Sequence, residues 1–127
     1  MLQHIIEEPA LIRGLLNNRK AVTGDFCRIF LENNIRRVYF SGSGSPANAC
    51  EVLAYFCKKL LGAEATCIIP TLFDHHQDFD TLNYLPEEIL LICPAESART
   101  KGTVRVAERA ASRGIHTACC TFNINGR

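Results

Sequence analysis

Residues 36–62, RRVYFSGSGSPANACEVLAYFCKKLLG, decide how this chain folds. Arg36 to Phe40 reads as a short strand. From Pro46 to Gly62 the pattern changes period: Ala49, Val52, Leu53, Phe56 and Leu60 share one helical face, and Gly62 supplies a stop. Between strand and helix, SGSGSP (41–46) places three serines, two glycines and a proline in six positions. A strand passing through a tight loop into a helix is the opening of a β–α–β unit. The loop itself admits three readings: a flexible linker, a turn without a ligand, or an anion cradle.

Working outward, the same alternation continues. ATCIIP (65–70) is a second strand. EILLIC (88–93) is a third, and its unbroken apolar run is the habit of a strand buried on both faces of a parallel sheet. TKGTVRVAERAASRG (100–114) is a helix that stops at Gly114, and IHTACCTF (115–122) is a fourth strand, followed by a turn-like NINGR. The stretch from Thr71 to Pro86 holds either a short helix around Asp74 to Asp80 or a long loop. This order predicts a three-layer α/β/α domain over residues 35–127, flavodoxin-like, with a parallel sheet of four to five strands. Residues 1–34 read as N-terminal helices. Pro9 is expected to end a first short helix near Glu8 and to open a second as its first residue. Leu11, Ile12, Leu15 and Leu16 form an apolar stripe there. A further helix is expected from Val22 to Asn33, with Val22, Phe26, Ile29 and Phe30 at helical spacing.

Composition limits the function. A net charge of +1 argues against a nucleic-acid partner, which usually calls for a basic excess. No apolar run reaches the roughly 18 residues of a membrane span, and the start has no basic segment leading into an apolar one, so neither membrane insertion nor secretion is expected. The seven cysteines are an odd number and contain no CxxC. Scattered through apolar stretches, they read as buried thiols of a cytoplasmic protein rather than a disulfide framework. Cys119 and Cys120, adjacent on a strand, should point to opposite faces.

In open α/β sheets ligands bind outside the carboxyl ends of the strands, where SGSGSP lies. Ser45 is the expected N-cap and Pro46 the first helical residue. The loop would then present serine hydroxyls and unpaired N–H groups at the positive end of a helix, a setting that suits phosphate. Known nucleotide motifs are absent: GSGSPA has Ala47 where GxGxxG needs its third glycine, and no GK[ST] follows. A second loop, PAESARTKG (94–102), also joins a strand to a helix and carries Ser97, Thr100, Arg99 and Lys101. Two such loops on one edge can share an anion, whose charge needs several donors in place of water. The alternative is a pair of turns, with Arg99 and Lys101 as solvated charges.

Together these motifs resemble the sugar isomerase (SIS) domain, a phosphosugar-binding α/β module. GSGSP (42–46) is similar to the family's G-x-G-S-S loop, and SART (97–100) to its S-G-x-T motif. MLQHIIEEPALI at the start is similar to the M-x-x-E-I-x-E-Q-P segment that opens the isomerase half of glucosamine-6-phosphate synthase and bacterial fructosamine-6-phosphate deglycases. The resemblance implies that Ser45, Ser97 and Thr100 bind a sugar phosphate, a 6-phosphate, with Ser43, Gly44 and Glu96 assisting and Arg99 and Lys101 as possible helpers. It implies no cofactor and no metal. This chain departs from the pattern at Pro46 and Ala95, where serines are common, at Glu96, where glutamine is common, and at Ala98 in place of glycine. Those changes remove hydroxyls and add a carboxylate. Family enzymes carry their catalytic residues mostly in a second SIS domain, so no catalytic residue is assigned here. The chain is expected to be a C-terminally truncated piece of a sugar-phosphate isomerase or deglycase that binds without catalysing. The other readings are a phosphosugar sensor and a structural module. An exposed sheet edge and apolar N-terminal helices favour a homo-oligomer.

Other polar groups carry less. His75-His76 with Asp74 and Asp78 lacks a third ligand at metal-site spacing and reads as a solvated loop, with a sugar or subunit contact as the alternative. Glu7-Glu8 reads as a solvated helix end and Arg36-Arg37 as a solvated pair. His4 and His116 have no visible partner for nucleophilic catalysis.

Overall fold

Two helices open the chain in the computed structural model, α1 (Leu2–Asn17) and α2 (Arg19–Glu32). The structure describes residues 2–97 and 99–121, so Ala98 and the expected turn at 123–127, with Phe122 of the last strand, lie outside the described residues. The chain divides into two units, Met1–Glu32 and Asn33–Arg127. Within the first, Asn18 joins the helices: its N–H donates to the Gly14 carbonyl at 3.1 Å, and its own carbonyl accepts from the N–H groups of Ala21 and Val22. Pro9 does not divide α1 as expected but lies inside it. Proline forfeits its own donor and crowds the carbonyl four residues earlier, and the helix-forming residues on both sides carry the ladder past it.

The second unit follows the alternation read from the sequence. In chain order it contains β1 (Arg37–Phe40), α3 (Ser45–Leu61), β2 (Glu64–Cys67), α4 (Pro70–His75), β3 (Ile89–Pro94), α5 (Lys101–Ser112) and β4 (His116–Cys120). The four strands form one parallel sheet in the order β2-β1-β3-β4. Phe40 is in register with Cys67 on one side and Ile92 on the other, and Cys93 with Cys119. α4 begins at Pro70, earlier than the helix expected around Asp74, because proline's fixed φ and missing donor suit a helix's first residue. A 3-10 turn, Pro86–Glu88, leads into β3.

β3 is the centre of the core. Ile89, Leu90, Leu91, Ile92 and Cys93 are all buried, which requires cover on both faces. On one face, Tyr39, Leu91 and Cys93 pack with Phe73 of α4, Phe79, and Val106 and Ala110 of α5. Tyr39, Phe73 and Phe79 meet with ring centroids 4.5–5.5 Å apart, and the Tyr39 hydroxyl accepts the Asp80 N–H at 3.0 Å. Fully burying a ring such as Phe73 stabilises by about 1.5–3 kcal/mol. On the other face α3 presents Cys50, Ala54 and Cys57.

Asp78 ties α5 to the loop after α4. Its Oδ1 accepts from Arg109 at 2.8 Å, from Arg113 at 2.7 Å and from the Phe79 N–H at 2.8 Å. Asp74 holds Arg105 at 3.3 Å. Both aspartates thus pair with arginines of α5 or its end, Asp74 from within α4 and Asp78 from the solvent-exposed loop after it. His75 and His76 are exposed, and no metal-holding cluster occurs among the described residues. The expectation of buried thiols also needs correction. Cys50, Cys57 and Cys93 are buried, whereas Cys27, Cys119 and Cys120 are exposed. Two of the exposed three lie on β4, an edge strand with a neighbour on one side only.

Candidate functional site

The strand order reverses direction between β1 and β3. From β1 the chain crosses to β2 on one side; β3 and β4 build out on the other. In such sheets the loops leaving the two central strands part and open a crevice. The loop after β1 and the loop after β3 meet there in a cleft of about 160 Å³, lined by Ser43, Pro46, Pro94, Ala95, Glu96, Ser97, Thr100 and Thr103.

Glycine sterics shape the first loop. Ser41 continues the β1 line: it is fully buried, and its N–H donates to the Ile92 carbonyl at 3.0 Å. Gly42 then passes beneath the start of α3. A Cβ there would lie 3.1 Å from the Pro46 carbonyl carbon and 3.2 Å from Cys50 Sγ. Gly44, at φ +68°, turns the chain into α3 through a backbone region that side chains resist. Gly44 is thus the N-cap, and Ser45 is the first helical residue, contrary to the expected cap at Ser45. No side-chain capping bond forms. The turn needs positive φ at the cap, which glycine tolerates and serine does not.

Hydrogen bonds to β4 hold the second loop. The Ala95 N–H donates to the Cys120 carbonyl at 2.9 Å, and Thr121 Oγ1 donates to the Glu96 carbonyl at 3.0 Å. Ser97 Oγ accepts the Arg99 N–H at 3.3 Å. Thr100 is the N-cap of α5 by backbone conformation, yet its hydroxyl makes no capping bond. The first N–H groups of α5 lack intrahelical partners by construction and carry the helix's partial positive charge. Gly102 lets this helix start sit close to α4, since a Cβ there would lie 3.1 Å from Pro70 Cβ.

Of the residues singled out from the sequence, the cleft therefore joins Ser43, Glu96, Ser97 and Thr100. Gly44, Ser45, Arg99 and Lys101 are on the same two connections but not in its lining. Thr103 is the hydroxyl that sequence reading missed. It is buried in the first turn of α5, three residues after Thr100, a spacing that puts both on one side of the helix start. The lining combines hydroxyls with one carboxylate, Glu96. Near it, burial pushes the Cys50 thiol up to about 12, and Cys93 to about 12, so neither is a nucleophile at neutral pH. Ser41 Oγ, immediately before the first loop, has no hydrogen-bond partner among the described residues.

No family model matches the chain, and no curated protein matches it. Solved structures do. A "putative phosphosugar isomerase" from Clostridium difficile 630 superposes with a TM-score of 0.82 at 17% identity, over 97% of this chain and 33% of its own. A "putative sugar binding protein" from Salmonella typhimurium LT2 gives 0.80 at 18% identity, over 99% and 38%. Tagatose-6-phosphate ketose/aldose isomerase from Escherichia coli gives 0.66 at 19% identity, over 90% and 31%. The chain thus spans about a third of the length of each. At these identities the likeness speaks to architecture, and the architecture agrees with the sheet order and crevice described above: this chain has the α/β fold of the SIS-type phosphosugar isomerases.

Proposed function

We propose that the cleft between the β1 and β3 loops binds the phosphate of a sugar phosphate. One observation carries this reading. Ser43 from one loop, Ser97 and Thr100 from the other and Thr103 of α5 line a single cleft at the sheet's switch point, beside the N-termini of two helices. Hydroxyls and oriented N–H groups replace the water that a phosphate gives up. The volume suits the phosphate end alone, since whole small-molecule pockets run to about 300 Å³ or more. The sugar would extend outward from it.

The reaction supported by the fold neighbours is sugar-phosphate isomerisation or amino-sugar phosphate chemistry. Both move a proton beside a carbonyl or imine and need a base near the reacting carbons. Glu96 is the one carboxylate in the lining and sits at the phosphate end. We therefore expect this chain to anchor the phosphate and to show no turnover alone. The exposed Leu53, Phe56 and Leu60 of α3 support assembly with further copies, and the free thiols suit a reducing compartment such as the cytoplasm.

Thermal denaturation against sugar 6-phosphates and their unphosphorylated parents tests the reading. A ligand bound only by the folded chain at 100 times its dissociation constant adds about 2.7 kcal/mol of stability. The 6-phosphates should raise the midpoint and the parents should not, and Thr100→Val should reduce the shift. No shift with any 6-phosphate at millimolar concentration would refute it.

A further inference from the structure

Glu96 is out of place in a phosphate cleft. Its side chain is exposed to solvent in the same small lining as Ser43, Ser97, Thr100 and Thr103. No arginine or lysine forms a salt bridge with it among the described residues. Its backbone is tied to the neighbouring strand end: the Glu96 carbonyl accepts from Thr121 Oγ1 and the preceding N–H donates to the Cys120 carbonyl. The side chain leaves the main chain within the lining, so its carboxylate is within reach of an anion seated against the hydroxyls.

An ionised carboxylate is an acceptor only. It repels a fully ionised oxyanion, but it can accept a short, charge-assisted hydrogen bond from an oxyanion that still carries a proton. A phosphate monoester can bring that proton, because its second ionisation lies at a pKa of about 6. A sulfate monoester has none to offer. The remaining lining is neutral, and the Ser43 and Thr100 hydroxyls can turn to donate to the other oxygens.

Building on the phosphate-cleft reading, we propose that Glu96 is the specificity-determining residue of this site: it accepts the proton of a protonated phosphate monoester and so selects phosphate esters over sulfate esters of the same sugar. The discrimination comes from one carboxylate among hydroxyls. It does not depend on cleft size, since the two esters are nearly the same shape.

The test compares glucose 6-phosphate with glucose 6-sulfate, by calorimetric or NMR titration of the chain. The unaltered chain should bind the phosphate ester at least about tenfold more tightly, the scale of a charge-assisted hydrogen bond. Glu96→Gln places a neutral amide that can donate to either ester, so the ratio should fall to about threefold or less. Glu96→Asp keeps a carboxylate and should keep the preference. Equal binding of the two esters by the unaltered chain, or a ratio unchanged in Glu96→Gln, would overturn the assignment while leaving the phosphate cleft standing. Binding of neither ester by the chain or its variants, with their melting transitions intact, would remove the cleft and the assignment together.

Discussion

The two loops that build the cleft are held in different ways. The loop after β1 is shaped by what is missing: Gly42 has no side chain where the start of α3 would meet one, and Gly44 adopts φ +68°. The loop after β3 is held by what is present: hydrogen bonds to Cys120 of β4 and to Thr121 just past it, and the Ser97–Arg99 bond within the loop. A loop fixed by sterics has few alternatives once the helix packs. A loop fixed by hydrogen bonds exchanges them with water at small net cost. The first should behave as a rigid wall of the cleft and the second as its adjustable side.

The largest expected effect is at the rigid wall. Gly42→Ala drives a methyl against the Pro46 backbone and the buried Cys50 Sγ, both on α3 and both close. Overpacking of this kind costs about 1–3 kcal/mol, to be read from urea denaturation. An unchanged midpoint would mean that α3 can lift, and the contrast between the loops would fail. At the adjustable side, Thr121→Val removes the tie to the Glu96 carbonyl. It should cost about 0.5–1.5 kcal/mol and speed amide exchange around residues 95–97 more than around 41–44. Equal acceleration in both loops would contradict the comparison.

The smallest effect sharpens it from below the sheet. Burial alone would push the Asp78 carboxyl up, but hydrogen bonds from Arg109 and Arg113 outweigh it and hold the group below the usual carboxylate value. A depressed folded-state pKa contributes stability that is complete at neutral pH and lost as acid protonates the group. Asp78 is about half exposed, so its pairs are worth about 1 kcal/mol or less. Asp78→Asn should lower stability at pH 7, and the deficit should shrink as pH falls through the depressed folded-state pKa, below the usual carboxylate value. A deficit that persists at low pH would point to packing instead.

Features set by local forces are written in the sequence, and those set by tertiary packing are not. The strands of the second unit could be read because β3 is an unbroken apolar run, α3 ends at Gly62 and Gly114 follows α5. The crevice could be placed because the alternation itself implies loops at one edge. The cap could not: serine is the commoner N-cap, and only the backbone turn shows that Gly44 must occupy it. Thr103 was hidden inside a helical pattern, where hydroxyls are usually solvated. Asp78 was read as loop because its partners, Arg109 and Arg113, are more than thirty residues away. In each case tertiary packing decided a role that local propensity left open.

The most direct measurement is an amide-resolved NMR titration of the chain with a sugar 6-phosphate. Backbone amides of residues 42–45 and 96–103 should shift together with one dissociation constant, and the parent sugar should leave both sets in place. Shifts confined to one loop, or none up to several times millimolar ligand, would contradict the cleft reading.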